Sequence, residues 1–283
     1  MALTFHTFQF LKKLNNEKFF FGETLSLGRI NNLISKDDFK KLNIKKNEDT
    51  YADKILIQNF NFLSLNYLDF SSFEDADIIC DLNKPIENIN RKFDTILDFG
   101  TSEHVFNINQ CLKNIANLCK INGHIIQCLP ANNNCGHGFW QFSPELFFKI
   151  YNKKNGFDNT EIFIIDLFDK NNWYQVNQQK SGERLELNSS EPLYILVKTK
   201  KISSSLFEDI NQSDYEYQWS GQGNNVKINK SYISKLNKNF KDNFKVLLRE
   251  NILTKKIYSR FEKKRLHNKN YFKKNKNLRK KAI

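Results

Sequence analysis

The chain has 283 residues, of which 40% are apolar and 27% charged, with a formal net charge of +13. That composition excludes a disordered chain, and the length suits one α/β domain with a full core plus extra segments rather than two large domains. No stretch approaches the roughly 20 apolar residues that span a bilayer, and the start Met1-Ala2-Leu3-Thr4-Phe5-His6 lacks the basic residues and small-residue cleavage site of a secretory leader.

In chain order, residues 1–20 are expected to form an N-terminal helical segment. Residues 24–28 read as a first strand ending in a tight turn at Gly28. Residues 30–42 carry apolar side chains at Ile30, Leu33, Ile34, Phe39 and Leu42, a helical spacing. Residues 62–68 alternate as a second strand closed by Asp69. The short apolar run 76–80 predicts a third, ending at Asp81, and 93–99 a fourth, followed by Gly100 and Thr101. Residues 108–119 are amphipathic with helical spacing. A fifth strand, 123–129, stops at Pro130. Ser143 and Pro144 suit the N-cap and first position of a helix whose apolar face is Leu146, Phe147, Ile150 and Tyr151, ending near 155–156. Residues 161–168 and 193–198 read as two last strands. The alternation predicts an α/β fold: a Rossmann-like, mainly parallel sheet with flanking helices over residues 21–200, then a connecting segment 201–230 and a basic helical tail 231–283.

Five cysteines, Cys80, Cys111, Cys119, Cys128 and Cys135, are odd in number and form no C-x-x-C pair. They predict reduced thiols in a cytoplasmic protein, without a disulfide frame or zinc knuckle, and no metal site is assigned.

In an open parallel sheet, ligands bind beyond the carboxyl ends of the strands near the point where strand order reverses. Leu27-Gly28-Arg29, Asp69 and Phe99-Gly100-Thr101 collect there. An acid ending the second strand can accept hydrogen bonds from both ribose hydroxyls. Asp81, with Leu82, is placed to meet an adenine. Each Asp alone also suits an ordinary turn.

Taken together these segments resemble the class I S-adenosyl-L-methionine-dependent methyltransferases, in particular the type 11 methyltransferase-like group. Phe93-Asp94-Thr95-Ile96-Leu97-Asp98 followed by Ser102-Glu103-His104-Val105 resembles that group's fourth strand and its "EHV" turn. Leu118-Cys119-Lys120-Ile121-Asn122-Gly123 resembles the approach to its fifth strand, with Asn122 replacing the first glycine. Leu68-Asp69-Phe70-Ser71 is similar to its "D-x-S". Residues 132–144, containing Gly136-His137-Gly138-Phe139-Trp140-Gln141-Phe142-Ser143-Pro144, resemble the long loop after strand five in a bacterial subgroup. The likeness covers roughly residues 20–200. The group's glycine-rich first turn is reduced to Leu25-Ser26-Leu27-Gly28-Arg29, where Arg29 either pairs with the cofactor carboxylate or fills the pocket.

The resemblance implies S-adenosyl-L-methionine as cofactor and methyl transfer to a small molecule or glycan precursor. Leu27, Gly28, Arg29, Asp69, Asp81, Leu82, Phe99, Gly100 and Thr101 are the implied cofactor residues. The alternatives are a degenerate fold kept for binding or scaffolding, or an RNA methyltransferase. Such a displacement needs mainly alignment and exclusion of water, with a base where the acceptor loses a proton. His137 and His104 are the candidates for that base, with Glu103 orienting either. His104 can equally be a packing residue at a helix start, and Gly-His-Gly a sharp turn. Of Phe139, Trp140 and Phe142, core packing is expected for at least two. Gln212-Ser213-Asp214-Tyr215-Glu216-Tyr217-Gln218-Trp219 is expected to dock on the body through Tyr215 and Trp219.

Residues 221–283 hold 20 Lys and Arg against 3 Asp and Glu, whereas residues 1–220 hold 24 against 28. The basic tail is open to three readings: a solvated helical extension, a nucleic-acid-binding segment, or one attracted to an anionic membrane surface.

Overall fold

A computed structural model of the chain describes residues 2–87, 89–187, 189, 191–205, 207–221, 227–229 and 272–274. Strand β1 (Ala2–Leu3) leads into helix α1 (Phe5–Asn16), β2 (Gly22–Leu27), β3 (Asn31–Asn32), α2 (Lys36–Leu42), α3 (Asp53–Asn59), β4 (Phe62–Asp69) and β5 (Ile78–Ile79). Then follow β6 (Phe93–Asp98), a 3-10 turn (Ser102–His104), α4 (Ile108–Leu118), β7 (Cys119–Pro130), α5 (Pro144–Ile150), β8 (Phe157–Asp166), β9 (Trp173–Val176), β10 (Glu183–Leu185), β11 (Leu193–Lys201), α6 (Ser213–Trp219), β12 (Lys227–Asn229) and β13 (Phe272–Lys274).

Nine strands form one sheet in the order β13-β9-β8-β11-β7-β6-β2-β4-β5. From β5 to β7 every pairing is parallel, and from β7 through β11, β8 and β9 to β13 every pairing is antiparallel. The Rossmann-like α/β sheet expected from the sequence is thus present as a mixed sheet, parallel only over the five strands β5, β4, β2, β6 and β7. Counted from β2, the parallel half runs third, second, first, fourth, fifth, and its order reverses between β2 and β6.

Both faces of the sheet are covered, which is why its strands read as apolar runs. Alternate residues of one strand enter opposite cores. Ile96, Ile125 and Ile164 pack with α4 and α5 through Cys111, Leu112, Ile115, Phe147 and Ile150. Leu97, Ile126 and Phe163 pack with α1, α2 and α3 through Phe10, Leu11, Phe39, Leu42 and Leu56.

Several boundaries differ from the sequence-based expectation. The helix expected over 30–42 starts only at Lys36. Asn31 and Asn32 instead pair with Ala2 and Leu3, and Ser35 caps the helix by accepting the Asp38 amide. Helix α5 ends at Ile150 rather than near 155–156, because Tyr151 leaves helical geometry and Asn152 and Asn155 build a turn. Helix α3 and strands β9 and β10 were not expected. Helix α6 docks through Ser213, whose amide donates to Glu145, and through Asp214 and Glu216, which pair with Arg184 and Lys149. Tyr215 and Trp219, the expected docking pair, are exposed and lie against each other. The helical tail expected over 231–283 lies outside the described residues except for strand β13.

His6 shows how tightly α1 is set. Its ring is buried, and Trp173 Nε1 donates to its Nδ1 at 2.9 Å, so the ring is neutral with its proton on Nε2. Burial pushes its pKa down to about 4, and burial does the same at His124. The unfolded chain takes up these protons below about pH 6.5 while the folded one resists until near pH 4, so stability falls on acidification through that window. Urea denaturation at stepped pH is expected to show His6 alone contributing about 3 kcal/mol to this loss, with a shallower slope in His6→Gln.

Candidate active site at the carboxyl ends of the parallel strands

Asp98, the last residue of β6, organises the turn that follows it. It is fully buried. Its Oδ1 accepts from the amides of Thr101 (3.0 Å) and Ser102 (3.3 Å), and its Oδ2 accepts from Ser102 Oγ (2.6 Å) and Gln127 Nε2 (2.9 Å). Gln127 Oε1 in turn accepts from the Tyr151 hydroxyl at 2.8 Å. Gly100 turns at φ +112°, a conformation that favours glycine. Thr101 Oγ1 donates to the Leu27 carbonyl at 2.5 Å, tying the β6 turn to the end of β2.

The turn delivers Glu103 into the protein. Glu103 is fully buried, and neither carboxylate oxygen has a hydrogen-bond partner. Burial, with the nearby Asp98 charge, pushes its pKa up to about 8. His137 Nε2 stands 3.4 Å from Glu103 Oε1 and His104 Nε2 4.0 Å from the same atom. The two imidazoles are exposed and lie edge to face at 5.5 Å. Burial of part of its ring and the neighbouring His137 lower the His104 pKa.

The loop that brings His137 here is strapped to the same turn. The amides of Phe139 (2.7 Å) and Trp140 (3.3 Å) donate to the Glu103 carbonyl, and Trp140 Nε1 donates to the Val105 carbonyl at 2.9 Å. Gly138 has φ +78°, and a Cβ on it would come within 2.8 Å of Glu103 Cγ and of the Glu103 carbonyl oxygen. At the loop's base, buried Asn134 donates to the Leu193 carbonyl, and its amide donates to Gln141 Oε1. Phe142 is buried and Trp140 packs against the core, while Phe139 is exposed and meets Phe106 edge to face.

A cavity of about 640 Å³ opens here, and its walls include Phe99, Gly100, Glu103, Cys128, His137 and Tyr194. Its opposite wall comes from the N-terminal strand and from 31–36 and 46–50. The geometry therefore brings Phe99, Gly100, Glu103 and His137 to one cavity, with His104 beside it.

The remaining candidate residues form an adjoining row that does not line this cavity. Gly28 turns at φ +76°, its amide donating to the Leu68 carbonyl at 2.5 Å. Asp69 Oδ1 accepts from the amides of Phe70 and Ser71, and Asp81 Oδ1 from the amide and side chain of Asn83, both as turn caps. Leu82 is buried in the core. Arg29 is engaged throughout: Asp53 accepts from its Nε (3.1 Å) and Nη2 (2.7 Å), Asp75 from its Nη1 (3.0 Å), and the guanidinium lies 4.2 Å over the Tyr51 ring.

Sequence reasoning missed Asp98, Gln127 and Tyr194. The first stands where a glycine follows a strand, which is a readable signal. The other two reach the site through strand register, which carries no local signal. It also missed the N-terminal strand and the 46–50 wall.

No family model and no curated protein sequence matches the chain. Among solved structures, an S-adenosylmethionine-dependent methyltransferase from Clostridium acetobutylicum is similar at 12% identity, covering 69% of this chain and 73% of that one, with a TM-score of 0.27. The N-methyltransferase NodS from Bradyrhizobium japonicum is similar at 10% identity, covering 70% and 94%, with a TM-score of 0.36.

Two glycines of the strap separate strain from collision. Gly136 has φ +91° with open space around it, whereas Gly138 combines φ +78° with the Glu103 contact. Gly136→Ala is expected to cost about 1 kcal/mol of stability and Gly138→Ala roughly 2–3 kcal/mol, read as paired shifts in urea midpoint.

Proposed function

We propose that the chain is a methyltransferase that uses S-adenosyl-L-methionine and acts on a small molecule or glycan precursor held in the cavity beside Glu103 and His137. One observation carries this reading: a cavity beside the reversal point between β2 and β6, walled by Phe99, Gly100, Glu103 and His137, with Asp69 and Asp81 ending the next strands outward. A cavity of about 640 Å³ falls in the range of small-molecule sites.

The residues fit the cofactor in part. Gly28 and Gly100 turn at positive φ and put no side chain at the ends of β2 and β6. In this reading Asp69 accepts from the ribose hydroxyls, Asp81 and Leu82 border the adenine, and Phe99 to Thr101 floor the site. Arg29 stays on Asp53 and Asp75 and leaves the cofactor carboxylate to other groups. When bound, the cofactor supplies a methyl group already activated on a sulfonium. The chain's own work is then alignment and exclusion of water. His137 takes the acceptor's proton at Nδ1, the ring nitrogen that does not face the carboxylate, while Glu103 beside Nε2 orients the ring. His104, 4.0 Å from the same carboxylate oxygen, is the second base within reach. The strap 131–143 carries His137 to this position.

A second reading is favoured by Arg29 and the Gly28 amide, both of which are already engaged within the protein. In it the chain binds a ligand in the cavity without methyl transfer.

Calorimetric titration with S-adenosyl-L-methionine separates these readings. Saturable binding that weakens roughly tenfold or more in Asp69→Ala is expected; no binding to folded protein at millimolar cofactor would overturn the first reading. Binding without product in an acceptor screen with labelled methyl would favour the second.

A further inference from the structure

We infer that Glu103, His104 and His137 form a binding site for one divalent transition-metal ion, with Zn²⁺ the best match in ligand chemistry. The site goes beyond methyl transfer and does not depend on it; with the ion bound, His104 and His137 serve as its ligands rather than as bases.

Three observations converge. The ligand atoms of these residues all lie within 4.8 Å of one another. Both histidines present Nε2 toward the same oxygen, Glu103 Oε1, at 3.4 and 4.0 Å. A tetrahedral zinc ion with bonds of about 2.1 Å needs neighbouring ligand atoms about 3.4 Å apart. The cluster is therefore close to that geometry already, and the two surface imidazoles can close the remainder by turning.

The second, independent sign is the carboxylate itself. Glu103 is fully buried, lines the cavity, and has two oxygens with no hydrogen-bond partner. A buried polar group left unsatisfied costs roughly as much as a hydrogen bond is worth, and native proteins keep few of them. A cation at Oε1 would satisfy it.

The scaffold is also stiff where a ligand set needs stiffness. The Asp98 bonds fix the turn bearing Glu103 and His104, and the Phe139 and Trp140 amides lock the loop bearing His137 onto the Glu103 carbonyl. Gly138 admits that close approach. Two imidazoles and one carboxylate favour zinc, iron, cobalt or nickel over magnesium or calcium, which prefer all-oxygen sites. Three protein ligands leave coordination open on the cavity side, the arrangement of a catalytic rather than a structural ion. An oxygen or nitrogen of the bound small molecule would take that position.

The test uses full-length, tag-free protein stripped with chelator, titrated with ZnCl₂ and, separately, MgCl₂ by calorimetry, and with CoCl₂ by absorption. One zinc ion per chain is expected. His104→Ala, His137→Ala and Glu103→Gln should each weaken binding roughly tenfold or more. The histidines are on the surface, so those two variants should keep the wild-type circular dichroism even if the buried Glu103 variant does not fold. No zinc binding above that of the His104→Ala/His137→Ala double variant, or tighter binding of magnesium than of zinc, would overturn the assignment. So would a thiolate-to-cobalt charge-transfer band, which would place the ion on Cys135. Loss of cofactor binding with zinc binding intact would remove the methyltransferase reading and leave the metal site standing.

Discussion

The buried carboxylate of Asp98 is the constraint on which the rest of this site depends. A charge taken from water costs several kcal/mol unless its lone pairs are filled. Here they are filled by two amides of the following turn, the Ser102 hydroxyl and the Gln127 side chain. Those bonds leave residues 99–104 little conformational choice. The turn they shape ties down the end of β2 through Thr101 and points Glu103 inward. The two carboxylates, five positions apart, have opposite fates: one is saturated with donors and the other has none. A fold that satisfies Asp98 so fully and leaves Glu103 open concentrates its unsatisfied polarity at one point, which is the pattern of a functional site.

Arg29 works in the opposite direction at the neighbouring strand end. Its guanidinium is held by Asp53 from α3 and by Asp75 from the loop before β5, and it lies over Tyr51. Those partners join the segment after β2 to the outer parallel strands. In place of a helix entered directly from a glycine-rich turn, the chain runs through β3, α2 and α3, and the N-terminal strand pairs with β3 across the sheet end. The cost is a crowded crevice beyond β2. The gain is a wall for the cavity on the β6 side, made from the N-terminal strand and residues 46–50. The cavity and the row of acidic strand ends thereby lie side by side, with Asp69 and Asp81 outside the cavity lining.

Much of the fold was legible because each sheet face is buried. Strands such as 93–98 and 123–129 are built around short apolar runs, Ile96-Leu97 and Ile125-Ile126, and α4 shows a clear 3.6-residue stripe; these signals are local. The failures share a cause. Residues 30–42 have helical spacing, yet Asn31 and Asn32 are claimed by a strand from the far N-terminus, and that pairing is invisible without the tertiary fold. Strand β9 likewise depends on burial of Trp173 against α1. At the site, Glu103, His104 and His137 could be named from two motifs, but nothing in either motif encodes their distance. What brings them together is a hydrogen bond from the Phe139 amide to the Glu103 carbonyl. The roles of Asp69 and Asp81 as turn caps were readable in advance, since Asp at a strand end does this routinely.

The strap and the Glu103 turn are best understood as one mechanical unit. The strap is anchored at its base by Asn134 and Gln141, at its middle by the Glu103 carbonyl, and at its end by Trp140 Nε1 on Val105. Between the first and second anchors lies only Cys135-Gly136-His137-Gly138, where both glycines adopt positive φ and the His137 amide donates back to Asn134. The histidine therefore rides on a short arc with fixed ends. With both ends anchored, the arc holds the imidazole beside Glu103 at the cavity wall. A base or a ligand at this position needs such restriction, because a group that acts on a reacting atom must be held in place before the substrate arrives. The two glycines serve this end differently: Gly136 supplies the curvature of the arc, and Gly138 lets the backbone come close enough for the carbonyl of Glu103 to hold it.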